Sequence, residues 1–274
     1  MKHLASAVLS FALLAAPASA QVTATVTDTR TITQRDGGKP DTVLSHTISA
    51  GGRTRIEHRG SDPETAVGKL ASAMQIISAG DSDLVMTYID TTRKMYAEMR
   101  PMSMMSAAMG MTNMKMDDTL SRPTLDSIGP GPVINGHPTL HFRTKMTSRL
   151  SMVMMGDSSV MTQAITSDLF LAPDVKRVEP DSTGTKLSSR WEKMLPQGMM
   201  HLAGGAEAIN ARLAKYGMPL RTEMETVHTT AAGTMTVHQT VDILRRERVV
   251  VPNALFLPPP GYKKVGFMDM VQIP

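Results

Sequence analysis

Thr139-Leu140-His141-Phe142-Arg143-Thr144-Lys145-Met146-Thr147-Ser148-Arg149-Leu150-Ser151-Met152-Val153-Met154 alternates with a period of two. Its even positions Leu140, Phe142, Met146, Leu150, Met152 and Met154 are apolar, while His141, Arg143, Lys145, Thr147 and Arg149 occupy the odd ones. A pleated strand sends successive side chains to opposite faces, so this run predicts a long strand with one wet and one dry side.

The same period recurs to either side. In 22–33 every odd position from Thr23 to Thr33 is threonine, opposed by Val22, Ala24, Val26 and Ile32. In 234–244, Met235, Val237, Val241 and Ile243 oppose Thr236, His238, Thr240 and Asp242, with Gln239 the one polar residue on the apolar side. Further strands are predicted over 42–49, 53–59, 73–79, 83–89, 93–99, 159–171, 219–229 and 248–251. Turn-forming runs separate them, among them Asp36-Gly37-Gly38, Gly51-Gly52, Gly80-Asp81-Ser82 and Gly156-Asp157-Ser158. Connections this short favour antiparallel pairing, since parallel neighbours need a crossover of about a dozen residues. The predicted fold class is mainly β: an antiparallel, curved, unclosed sheet covered by a few helices. The helices are expected over 206–216, with Ile209, Leu213 and Tyr216 on one face and Gly217 as the stop, near 188–195 ended by Pro196, and from Asp62 to Leu70.

At the N-terminus Lys2 precedes an apolar run from Leu4 to Ala16, and Pro17-Ala18-Ser19-Ala20 ends small-x-small. This order reads as a cleavable signal peptide over 1–20, followed by one domain over 21–274 located in the periplasm or cell envelope. No later run is apolar enough for a helical membrane span. With no cysteine, stability must come from an apolar core instead of disulfides. The net charge of +4, about +3 without Lys2, is spread along the chain. A nucleic-acid partner would call for a concentrated basic patch, so none is expected.

Several short motifs carry a family resemblance. They are Leu84-Val85-Met86-Thr87-Tyr88-Ile89-Asp90 with Lys94-Met95-Tyr96, Ile134-Asn135-Gly136-His137-Pro138-Thr139-Leu140-His141-Phe142, Thr166-Ser167-Asp168-Leu169-Phe170, Gly217-Met218-Pro219-Leu220, and Val251 to Pro258 with Gly261-Tyr262-Lys263-Lys264. In this order the chain resembles an uncharacterised family of exported bacterial proteins related to the periplasmic lipoprotein carriers of LolA type. The resemblance implies a half-barrel sheet wrapped around a few helices, with an apolar cavity that in the carriers holds acyl chains. It implies no catalytic residue. The chain departs from the carriers in lacking an identifiable basic residue for lipid handling.

Methionine is the compositional oddity: of 25 in the chain, eight fall within Met99 to Met116. The thioether chain is flexible and polarisable, so it suits core filling or an adaptable cavity lining, and it is also a soft ligand for Cu(I). Gly110, Asn113 and the hydroxyl residues of 99–116 weaken both regular structures, so the segment is expected to be a Met-rich lid at the mouth of the sheet. The candidate ligand-binding residues are Met86, Tyr88, Leu140, Phe142 and Met152 on strands, with Met102, Met105 and Met109 on the lid.

Other chemistry finds no support. His137 and His141, four apart on a strand, would lie about 13 Å from each other, too far to share a metal. The two Gly-Asp-Ser runs suit turns better than a nucleophile elbow. The chain has no Gly-x-Ser-x-Gly, His-Glu-x-x-His, phosphate loop or dinucleotide fingerprint. The leading expectation is a monomeric, non-enzymatic binding protein for a lipid-like or other apolar ligand, without cofactor or metal. A Cu(I)-binding protein using Met99 to Met116, and an envelope structural or interaction protein, stand as alternatives.

Overall fold

In the computed structural model the chain is described over residues 20–60, 74–79, 84–101, 103, 115–121, 123–154, 157–178, 209 and 211–271; for 79, 115–120, 152–154, 157 and 271 only the backbone is described. The leader 1–19, most of the Met-rich segment, both Gly-Asp-Ser glycines and the helices expected over 62–70 and 188–195 lie outside these residues.

The strands are β1 (Gln21–Arg35), β2 (Asp41–Ala50), β3 (Arg53–Arg59), β4 (Met74–Ala79), β5 (Leu84–Asp90), β6 (Met95–Met99), β7 (Lys115–Leu120), β8 (Thr124–Pro130), β9 (Leu140–Met154), β10 (Asp157–Ala172), β11 (Met218–Thr230), β12 (Gly233–Pro252) and β13 (Lys263–Lys264). They form one unclosed sheet in the order β13-β6-β5-β4-β3-β2-β1-β12-β11-β10-β9-β7, with β8 also on β9. Two antiparallel meanders, β1 to β6 and β9 to β12, meet where β1 pairs with β12. Among the described residues the one parallel pair is β13 on β6.

The sheet is mainly antiparallel β, as the alternation predicts. Three of the described strands have no counterpart in the sequence reading: the short β13, and β7 and β8, which pair end to end with the outer side of β9. The two runs expected over 234–244 and 248–251 are one strand, β12. A bulge explains the difference: Asp28 pairs with Arg245 and Thr29 with Ile243, which leaves Leu244 as an extra residue. The bulge also shifts the parity of the strand. Val237 and Val241 share a face with the β1 threonines, whereas Val249 and Val251 face the other way and pack with Ala24, Val26, Ile48 and Phe256.

Three short segments cover the sheet locally. The 3-10 turn Asn253–Phe256 seats Phe256 on the Ala24–Val26 cluster, with the Arg53 guanidinium over its ring and the Leu255 carbonyl accepting a hydrogen bond from Arg55. The chain then reaches the β6 edge, forms β13, and ends in helix α1 (Phe267–Val271), where Phe267 and Met270 pack on Tyr88, Met86, Ala97 and Met99. Ile209 to Tyr216 packs Leu213 and Tyr216 on Phe142 and Leu171, and stops at Gly217 as its sequence predicts. Gly217 has φ +99°, and a Cβ there would stand 2.0 Å from the Ala172 carbonyl oxygen, so only glycine fits.

Charged residues on the opposite face of the second meander tie its strands together. Asp242, 4% exposed, accepts hydrogen bonds from Arg30 on β1 at 2.6 and 3.1 Å and from Arg221 on β11 at 2.6 Å. Asp168 on β10 accepts from His141 at 2.6 Å and from Arg143 at 2.8 and 3.1 Å, both on β9. Burial alone would push both carboxyls up. The hydrogen bonds from Arg221 and Arg30, and from Arg143 and His141, outweigh it and hold them below the ordinary carboxylate range. Since the folded pKa is the lower one, the unfolded chain takes up protons first on acidification. The stability these carboxylates contribute is therefore complete above about pH 4 and lost as pH falls through their folded pKa values. His58, lowered by burial, acts in the same direction at higher pH: its contribution is complete above about 6.5 and declines below it. Thermal midpoints measured from pH 8 to 3 should fall gently below pH 6.5 and steeply below 4, and Asp242→Asn should flatten the acid limb. An unchanged acid limb in that variant would rule out the assignment.

Candidate functional site: the uncharged face of the second meander

Register places each side chain of β9 to β12 on one of two faces. One face carries His141, Arg143, Lys145, Arg149, Asp168, Arg221, Glu223, Glu225 and Asp242. The other face, taken over 140–152 of β9, 159–171 of β10, 222–230 of β11 and 233–243 of β12, carries no Asp, Glu, Lys or Arg. Over these stretches the alternation of four strands, once paired, puts the charge on one side; beyond them Asp157 and, past the bulge, Arg246 and Arg248 fall on the other by register.

Cross-strand neighbours on the uncharged face run in rows. Phe142 and Leu169 lead to Thr222 and Val241; Thr144 and Ser167 to Met224 and Gln239; Met146 and Ile165 to Thr226 and Val237; Ser148 and Gln163 to His228 and Met235. Leu150 and Met161 complete the far end. The first row ends against Ile209–Tyr216, where Phe142 and Tyr216 rings meet at 4.7 Å. Beyond it, Met146, Leu150, Met161, Ile165, Met224 and Val237 are half-buried and belong to none of the four apolar clusters of described residues. They form a floor in which flexible thioethers alternate with small hydroxyls. Such a surface makes dispersion contacts and adapts to the shape laid on it.

The residues expected at the site divide into separate groups. Leu140 and Phe142 stand on this face, at the end closed by Leu213 and Tyr216. Met152 lies further along β9, opposite Ser159 and Met116, and its side chain is outside the described residues, as are Met102, Met105 and Met109. Met86 and Tyr88 are on β5, with seven strands between it and β9. That is about 38 Å along the sheet at ~4.8 Å per strand. There they pack under Phe267 and Met270, and burial raises the Tyr88 pKa. The expected group is thus two clusters, each covered by its own chain segment. The floor residues Met161, Ile165 and Met224 are absent from the expected set. Alternation marks them as apolar, and only the pairing of β10 with β9 and β11 brings them beside Met146.

The described histidines are paired or scattered separately. His137 meets Asp174 at 2.8 Å, His141 meets Asp168, and His46 meets Asp28 at 2.5 Å. Among the described residues no three His, Asp or Glu side chains are grouped to hold a metal ion. No helix among them is long and apolar enough to cross a membrane.

Compared with known proteins, the chain matches no family model, no curated protein and no solved structure.

Proposed function

We propose that the protein is a non-enzymatic binding module of the periplasm or cell envelope, which holds a lipid-like or other apolar molecule against the uncharged face of β9 to β12. On this reading the unclosed sheet curves around its ligand as a half-barrel of the lipoprotein-carrier kind. The observation that carries the proposal is the segregation of charge: over 140–152, 159–171, 222–230 and 233–243 four adjacent strands keep their Asp, Glu, Lys and Arg side chains on one face and offer a half-buried Met, Ile, Val and Thr floor on the other. An apolar ligand on such a floor gains about 25 cal/mol for each Å² of apolar surface removed from water, with no ion to desolvate.

Fluorescence of N-phenyl-1-naphthylamine, a neutral apolar dye that brightens out of water, tests this directly. The dye should bind the protein saturably. Ile165→Lys places an ammonium in the middle of the floor and should weaken binding about tenfold or more, since a poorly solvated charge costs well over the roughly 1.4 kcal/mol that a factor of ten requires. Thr166→Lys, one residue on and facing the charged side, should leave binding unchanged. Equal loss in both variants, or in neither, would remove the site from this face.

A further inference from the structure

The floor is not uniformly apolar: besides Thr144, Ser167, Thr222 and Gln239 in the rows nearer Phe142, polar residues gather toward its far end, two of them buried. Ser148 on β9 and Thr226 on β11 are 7% and 6% exposed, yet among the described residues neither hydroxyl has a hydrogen-bond partner. Ser148 is paired across β10 with Gln163, and Gln163 with His228, whose side chains likewise have no hydrogen-bond partner among the described residues. Thr226 is next to His228 on the same face of β11 and opposite Ile165. Four side chains that can each donate and accept thus converge on one spot about 10 Å wide, three strands at ~4.8 Å. Neither hydroxyl is among the fully buried polar atoms without a partner, so both remain within reach of a ligand group that can complete their hydrogen bonding.

From this grouping we infer that Ser148, Gln163, Thr226 and His228 receive the polar head of a single-chain amphiphile, and that the head is neutral and hydroxyl-bearing, as in a monoacylglycerol or long-chain alcohol. The inference rests on the apolar-floor reading above and names the ligand class for it. The tail lies along Met146, Ile165 and Met224 toward Phe142, six residues and about 20 Å from Ser148 along β9 at ~3.4 Å per residue. Neutrality follows from the charge segregation. A phosphate brought onto this stretch of the face would lose its hydration with no Lys or Arg of 140–152, 159–171, 222–230 or 233–243 beside it to replace it, whereas a hydroxyl head finds donors and acceptors in both senses.

The test uses competition against bound N-phenyl-1-naphthylamine by 1-monopalmitoylglycerol and by hexadecyl phosphate. The monoglyceride should compete at concentrations about tenfold lower or better. The near-isosteric double variant Ser148→Ala/Thr226→Val should weaken the monoglyceride about tenfold, as expected for two hydrogen bonds, while the dye itself binds within about twofold of the parent. A thermal midpoint close to the parent's confirms that the variant is folded, and either single variant serves if the double does not fold. Equal competition by the phosphate, or monoglyceride binding that the variants leave unchanged, overturns the inference while dye binding keeps the apolar floor intact. Failure of the dye to bind the parent overturns the floor reading, and the head assignment with it.

Discussion

Phe142→Asp is expected to leave no cooperatively folded protein. The ring is 4% exposed, packed with Leu171 and Leu213 and tilted against Tyr216, so it joins the helical turn at 209–216 to β9 and β10. Removing a buried Phe side chain costs about 3–5 kcal/mol, and an unpaired carboxylate in its place adds several more. Against a total stability of about 5–15 kcal/mol that sum exceeds or exhausts what holds the chain folded. Circular dichroism should show loss of the sheet signal and of a sharp melting transition. Phe142→Leu keeps the site apolar and should melt within a few degrees of the parent. If Phe142→Asp melted as sharply and as high as the parent, the cluster would not be a structural joint.

The second large effect is at the other end of the sheet. A chain ending at Leu257 lacks β13 and α1, the segment that pairs with the β6 edge and covers Tyr88, Met86, Ala97 and Met99. It loses backbone hydrogen bonds from Lys263 to the Lys94 carbonyl and from Val265 to that of Tyr96, at 3.0 and 2.9 Å, and the ion pair of Lys264 with Glu98. Lost burial outweighs these. Phe267 and Met270 each contribute about 1.5–3 kcal/mol by covering the cluster, which makes the total about 4 kcal/mol. For a chain of this size the thermal midpoint should fall by about 10 °C. The exposed strand edge next to an apolar patch should also promote association, visible as a concentration-dependent increase in light scattering. A truncated chain that melts with the parent and stays monomeric would show that the segment is not part of the folded sheet's stability.

The described members of the expected binding set fall into two clusters, and the strand order explains why. Met86, Tyr88, Leu140 and Phe142 are apolar residues on the faces that alternation predicts, but alternation is a property of each strand alone. Whether two dry faces meet depends on strand order, and β5 and β9 belong to different meanders. Which segment covers each face is also non-local: Phe267 and Met270 reach Tyr88 from the far end of the chain, and no periodicity marks the short α1 as a cover.

What the sequence determined by itself is the local structure with its period of two: the strands of both meanders to within a few residues, their antiparallel pairing through short turns, and the glycine stop at Gly217. These follow from interactions between residues close in the chain, which side-chain alternation and turn chemistry record directly. Only the tertiary structure decided the rest. The pairing of β1 with β12 joins residues more than 200 positions apart, and the bulge at Leu244 reverses the facing of everything beyond it. The end-to-end docking of β7 and β8 on β9, and the register that collects Met146, Met161, Ile165 and Met224 into one uncharged floor, are likewise set by contacts between distant segments. A one-residue change of register would move each of those side chains to the charged face, which is why the uncharged floor exists in the paired sheet and in no single strand.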